Sequence, residues 1–235
     1  APGMVLGKSI YDITHKLLLG AGYRIQADIK QKLLSKSVTH VYIMEEGTDD
    51  VVPEDVISDE VRNQAKGKLA NKVQKVQQVF ELRDLGRAKA YAYLQSDKFK
   101  SVTLTYDMKE VVMNILDEMS IRGSKFLNSM LFKNKDGYFF DHAVNTTVLA
   151  VLVGRKYMFS KNELLELALG TFLHDFGKIV VEQIKKSGTN EDVRHLERDH
   201  HTFGYLIINK SRAASPIVSQ IINQHHEHED GSGYP

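Results

Sequence analysis

The feature that most constrains this chain is the placement of histidine in its C-terminal part: His142, the pair His174-Asp175, His200, and the pair His225-His226. Each falls at one end of a segment whose apolar residues recur at helical spacing. Thirteen residues lead from His142 to Arg155, and thirteen lead back from Lys161 to His174. The connection between them is short, which requires antiparallel helices, and at about 1.5 Å of rise per residue the two legs are equally long. His142 and His174 therefore return to the same end. Ser160 with Glu163 forms a capping box for the second leg, and Gly177 is read as the stop of a helix ending at His174-Asp175. The layout repeats downstream. His200 opens an outgoing leg, and Ser215-Pro216 caps a returning leg that ends at His225-His226, with Ile217, Val218, Ile221 and Ile222 as its buried face.

Neighbouring side chains on a helix point about 100° apart, so an adjacent pair converges on one point most easily where the helix ends. A carboxylate beside imidazoles also meets a requirement of two-metal hydrolysis, because one carboxylate can offer an oxygen to each of two ions roughly 3.5–4 Å apart. The chain has no cysteine, which excludes disulfides and thiolate sites, so a metal here must be held by nitrogen and oxygen. Such donors suit iron, manganese, zinc or nickel. Isolated histidines such as His15, His40, His195 and His228 are read as surface or core residues. His201 is an alternative to His200, and Gly204, one turn on, favours His200 by leaving room above its ring.

A net charge of +1 gives no bulk attraction to a nucleic acid polymer or an anionic membrane. No apolar run approaches the roughly 20 residues of a membrane span, and the first residues lack a secretory pattern, so a cytoplasmic location is expected. Residues 1–50 read as a small α+β regulatory module, with β-rich runs at Met4 to Leu6, Lys16 to Leu19 and Val38 to Met44 and a helix at Ala27 to Ser35. Residues 51–100 read as a helical linker. Within it Val61, Ala65, Leu69, Val73, Val76 and Val79 form an apolar stripe that fits either the following helical domain or a second copy of the chain. Met108, Val111, Val112, Ile115, Leu116 and Met119 repeat the pattern, so residues 101–235 are expected to be helical and the fold class mainly α.

Taken together, FLHDFGK (Phe172 to Lys178), the His142 helix, His200 with Gly204, and HHEHEDGSGYP (His225 to Pro235) resemble an HD-GYP domain, the HD-superfamily phosphohydrolases that degrade cyclic di-GMP. The resemblance runs from about Asp136 to Pro235, with the motifs in the family's order. It implies a helical HD bundle with two divalent metals, iron or manganese foremost, bridged by Asp175. His142 and His174 would bind one, and His200, His225 and His226 the other. It further implies that Lys178 contacts substrate phosphate and that Gly231, Gly233, Tyr234 and Pro235 form the signature loop at the mouth of the site. The implied reaction is hydrolysis of cyclic di-GMP to pGpG, and onward to GMP, by a water activated between the metals.

Rival readings are an HD phosphohydrolase for another cyclic dinucleotide or nucleotide, and a non-catalytic module that signals through protein partners of the Gly-Tyr-Pro loop. A homodimer through the long helix is a further expectation. Some family members hold a third metal through a carboxylate one turn before the first histidine. That position here is Tyr138, with Asp136 and Asp141 poorly placed to substitute, so two metals are expected. The family continues past Gly-Tyr-Pro into helices carrying another Asp ligand, so the catalytic domain is expected to be cut short on that side.

Overall fold

The computed structural model describes residues 3–11, 16–35, 38, 41–47, 56–80, 86–96, 99, 105–122, 138–188, 192–210 and 214–235. His15, His40, Asp136 and most of the acidic tract before residue 56 lie outside them. The chain opens with β1 (Val5–Leu6), β2 (Ile10–Tyr11), β3 (Leu17–Leu19), α1 (Ala27–Ser35) and β4 (Ile43–Met44). β1 pairs antiparallel with β4, Val5 opposite Met44, and β2 pairs antiparallel with β3, Ile10 opposite Leu19. The helix lies where its sequence predicts it. The strands are shorter than the β-rich runs suggest, and β2 has no clear sequence signal. Leu6 and Ile25 are buried here, and a Lys8–Asp59 ion pair at 2.8 Å ties the module to the helices that follow.

Those helices are α2 (Asp59–Phe80), α3 (Arg87–Gln95), α4 (Thr105–Arg122), α5 (Tyr138–Lys156), α6 (Lys161–Leu173), α7 (Lys178–Lys186), α8 (Val193–Arg198), α9 (His200–Asn209) and α10 (Pro216–Gln224). Among the described residues no strand follows β4, and no helix is long and apolar enough to cross a membrane. The fold is mainly α. One apolar core runs from Val56 to Ile222. The α2 stripe is buried at Ala65, Leu69, Val73 and Val76, and α2 packs on α4, α5 and α7, so the stripe is used within the chain. The apolar set of α4 is buried throughout, from Met108 to Met119.

The two hairpins form as the caps predict. Ser160 Oγ accepts from the Glu163 amide at 3.4 Å while the Glu163 carboxylate accepts from the Ser160 amide at 2.7 Å, which starts α6. Ser215 Oγ accepts from the Val218 amide at 3.2 Å ahead of Pro216, which starts α10. On α10 only part of the expected apolar face is inside: Val218 and Ile222 are buried, whereas Ile217 is 49% exposed. The four positions span a wider arc than the contact with α6 and α9 covers.

Two glycine readings need correction. Gly177 does not stop a helix with left-handed backbone, since its φ of −68° and ψ of −16° are right-handed and it opens α7. α6 ends at Leu173, residues 174–177 form a turn, and α7 and α8 fall within the stretch expected to be helical, although the sequence reading does not delimit them. What Gly177 requires is space, because a Cβ there would sit 1.8 Å from the His200 carbonyl oxygen. Gly204 faces it, its missing Cβ 3.3 Å from the Gly177 nitrogen and 3.0 Å from Ile222. It therefore serves the close approach of α9 to the 174–177 turn rather than room above the His200 ring.

Candidate metal centre

The ends of the two hairpins meet around Asp175, whose side chain is only 6% exposed. On one side stand His142, from the first turns of α5, and His174, at the C-terminus of α6. Their Nε2 atoms are 3.1 Å apart and lie 3.5 and 3.4 Å from Asp175 Oδ2. On the other side stand His200, opening α9, and His225 and His226, just past α10. His200 Nε2 lies 3.0 Å from His225 Nε2 and 3.1 Å from His226 Nε2. Asp175 Oδ1 faces this group, 3.5 Å from His200 Nε2 and 3.9 Å from His225 Nε2. The donor atoms thus fall into two sets, His142-His174-Asp175 and His200-His225-His226, each gathered within 4.8 Å.

The protonation of these rings follows from their partners. His174 Nδ1 donates to the Thr171 carbonyl at 2.6 Å, His200 Nδ1 to Glu197 at 2.6 Å, and His225 Nδ1 to Ile222 at 2.8 Å. A carbonyl only accepts, so Nδ1 carries the proton and the lone pair of a neutral ring is on Nε2. Burial, above all, pushes His200 down to about 4 and His225 down to about 3. Burial likewise lowers His142 and His226. His200 and His225 are therefore neutral near pH 7, with two lone pairs aimed at each other across 3.0 Å.

Two lone pairs so placed repel unless a cation stands between them. Ligands at about 2.0–2.1 Å from one ion and at right angles are about 3 Å apart, so the spacing suits a shared metal. Nitrogen held by a backbone carbonyl on its far side is also the usual support for a metal-bound imidazole. Burial is the strongest influence on Asp175 and works to raise its pKa. The His174 ring and the Lys178 ammonium nevertheless hold it below the ordinary carboxylate value. It is anionic, as a bridging ligand must be.

Lys178 donates to Asp175 Oδ2 at 2.7 Å, with its side chain nearly half exposed at the rim. His201 turns away, its Nδ1 3.2 Å from Asn223 Oδ1, so His200 is the ring that joins the group. Asp141 is engaged by Lys66 at 2.9 Å, outside the cluster. Tyr138 stacks on His142 with ring centroids 5.5 Å apart. His195 is exposed, and His228 Nδ1 lies 2.9 Å from Ser232 Oγ within the terminal loop.

That loop is fastened to the centre. Gly231 turns it with φ +74°, and Gly233, whose amide donates to Glu227 at 2.9 Å, lies so close beneath that a Cβ would fall 2.3 Å from the His226 carbonyl oxygen. Tyr234 forms a β-bridge with His226 and stacks on its ring, centroids 4.7 Å apart, and Pro235 follows through a cis bond. Arg198 lies over the Tyr234 ring at 5.4 Å. The stacking of Tyr138 and Tyr234 on their histidines is a feature of the fold. For Tyr138 the spacing of four residues to His142 was available as a signal.

Residues 139–234 match the family model described as HD domain. A cyclic di-GMP phosphodiesterase of Pseudomonas aeruginosa is 30% identical over 129 residues, covering 52% of this chain and 31% of that protein. A cyclic di-GMP phosphodiesterase response regulator of Xanthomonas campestris pv. campestris is 32% identical over 91 residues, covering 37% and 24%. The matched stretches thus span about a third or less of these curated relatives. No solved structure gives a significant match.

Proposed function

We propose that this chain, whose residues 139–234 match the HD domain model, is a metal-dependent phosphodiesterase that hydrolyses cyclic di-GMP to pGpG, and onward to GMP. The observation that carries the reading is Asp175, whose two oxygens face separate histidine groups. His142, His174 and Asp175 would hold one divalent metal, and Asp175, His200, His225 and His226 the other. The all-nitrogen-and-oxygen donor set suits iron, manganese, zinc or nickel alike, and the resemblance to HD-GYP domains puts iron or manganese first. Bound there, such ions supply Lewis acidity, acidifying water and polarising a phosphoryl oxygen.

The chain's own residues do the rest. The Nδ1 anchors fix three rings so that Nε2 points inward without reorganisation. Lys178, charged and on the rim, is placed to leave Asp175 for a phosphate oxygen and to offset negative charge that develops there. Gly231, Gly233, Tyr234 and Pro235 shape the mouth and back His226. The two relatives, each named a cyclic di-GMP phosphodiesterase, support this choice of substrate.

The test is turnover of cyclic di-GMP beside mixed cyclic GMP-AMP by manganese-loaded protein, with Asp175→Asn as control. We expect pGpG from the first substrate and at least a hundred-fold loss in the variant, the scale of about 3 kcal/mol or more in transition-state stabilisation. Metal-loaded protein that leaves cyclic di-GMP intact would refute the substrate. Cleavage of the mixed nucleotide alone would support the rival HD reading.

A further inference from the structure

One residue before His200, and outside the donor set, lies an ion pair between a buried carboxylate and a half-exposed guanidinium. Asp199 is 7% exposed, and both of its oxygens are taken by Arg87, the first residue of α3: Nη2 donates to Oδ1 at 2.9 Å and Nε to Oδ2. Tyr91, one turn along α3, sets its ring 4.7 Å from Phe203 and 5.8 Å from the Arg87 guanidinium. At the far end of the same helix, Lys210 donates to the Gln95 carbonyl at 2.7 Å. α3 is thus fastened to both ends of α9, although it lies outside the segment that matches the HD family.

Two considerations point beyond simple packing. Asp199 is the N-cap of α9, where aspartate ordinarily turns its carboxylate onto the amides of its own helix. Here it makes no such side-chain cap and gives the carboxylate to Arg87 instead. An ion pair with one half-exposed partner is also a modest source of net stability, because solvent screens the arginine while the carboxylate still loses hydration. A bidentate pair offers direction, since the planar guanidinium fork fixes the carboxylate it grips. Asp199 is the hinge between Glu197, whose carbonyl holds His200 Nδ1, and His200 itself.

We propose that Arg87 and Asp199 are positioning residues for the metal centre. The pair locks the corner between α8 and α9, and with it the direction of His200 Nε2 into the group completed by His225 and His226. α3 thereby becomes part of the machinery. The inference rests on reading those histidines as metal ligands.

The test uses the full chain with Asp199→Asn, which keeps shape and loses charge. Arg87→Lys, at a half-exposed side chain, keeps charge, loses the fork, and serves if the first variant does not fold. Manganese titration by calorimetry, melting temperature, and the imidazole nitrogen resonances of metal-free protein are read together. We expect one manganese equivalent to weaken about 10- to 100-fold in both variants, as second-layer metal partners commonly cause, while the other is unchanged. We also expect the His200 resonances to move and those of His142 to stay. Both equivalents binding as in wild type, or both weakening in step with a fall in melting temperature, would overturn the proposal. If wild-type protein takes up no manganese while the His200 resonances still move, the metal reading fails and the positioning of His200 stands. Metal uptake with unmoved His200 resonances defeats the positioning alone.

Discussion

At Gly177 a hydrogen in place of a methyl group decides whether the two halves of the centre can meet. Its backbone is right-handed and would suit alanine, so a substitution there acts through volume alone. A Cβ 1.8 Å from the His200 carbonyl and 2.4 Å from the Gly204 nitrogen must drive α9 from the 174–177 turn. We expect Gly177→Ala to destabilise the protein by about 3 kcal/mol, the upper range of an overpacked core, measured by urea unfolding. A stability equal to wild type would show that α9 can withdraw from the 174–177 turn at no cost. The donor residues were the most legible part of the chain, because adjacent pairs such as His174-Asp175 and His225-His226 are readable as pairs. Gly177 looks in sequence like a glycine that ends a helix, and Gly204 like one that makes room for the His200 ring; that each instead admits the other's backbone is known only once the fold is.

Among the helices, the arrangement rests on a property of helix ends. The last carbonyls of a helix have no amide four residues on to satisfy them. His174 and His225 sit at the C-caps of α6 and α10, and His200 follows the last turn of α8, so each finds such a carbonyl three residues back. The helix end thus supplies both the convergence of adjacent side chains and the anchor that sets each ring. The hairpins were legible because their caps are written locally, in Ser160-Glu163 and Ser215-Pro216. α7 and α8 are short and their bounds are not as plain, although Asp192 caps α8 by accepting from the Arg194 amide at 2.9 Å and α7 gathers Ile179, Val180, Val181 and Ile184 on its buried side. Ser160→Ala removes the acceptor of an exposed capping box and is expected to cost about 1 kcal/mol by chemical denaturation, with metal binding unaltered. A loss of metal affinity of tenfold or more would mean that the α5–α6 turn governs the far end of its hairpin.

On the scale of the whole chain, a single core joins α2 and α4 to the helices that carry the histidines. Metal binding should therefore be felt by the entire bundle. An ion present at a hundred times its dissociation constant adds about 2.7 kcal/mol to the folded state, and a chain of this size gains roughly 2–4 °C per kcal/mol. The manganese-loaded protein is accordingly expected to melt about 5–10 °C above protein treated with a chelator. Identical melting curves, with manganese absent from the loaded sample by elemental analysis, would argue that the centre holds no ion. The mainly α architecture was legible from helical periodicity alone. The docking of α2 on α4, α5 and α7 was not, since an apolar stripe states that it must be covered and not by what.

The stack of Tyr234 on His226 has one more consequence. Ring and backbone bridge together fasten the terminal loop to an imidazole of the centre at two points. Reshaping the loop would therefore remove the aromatic support on that face of His226 as well as altering the mouth.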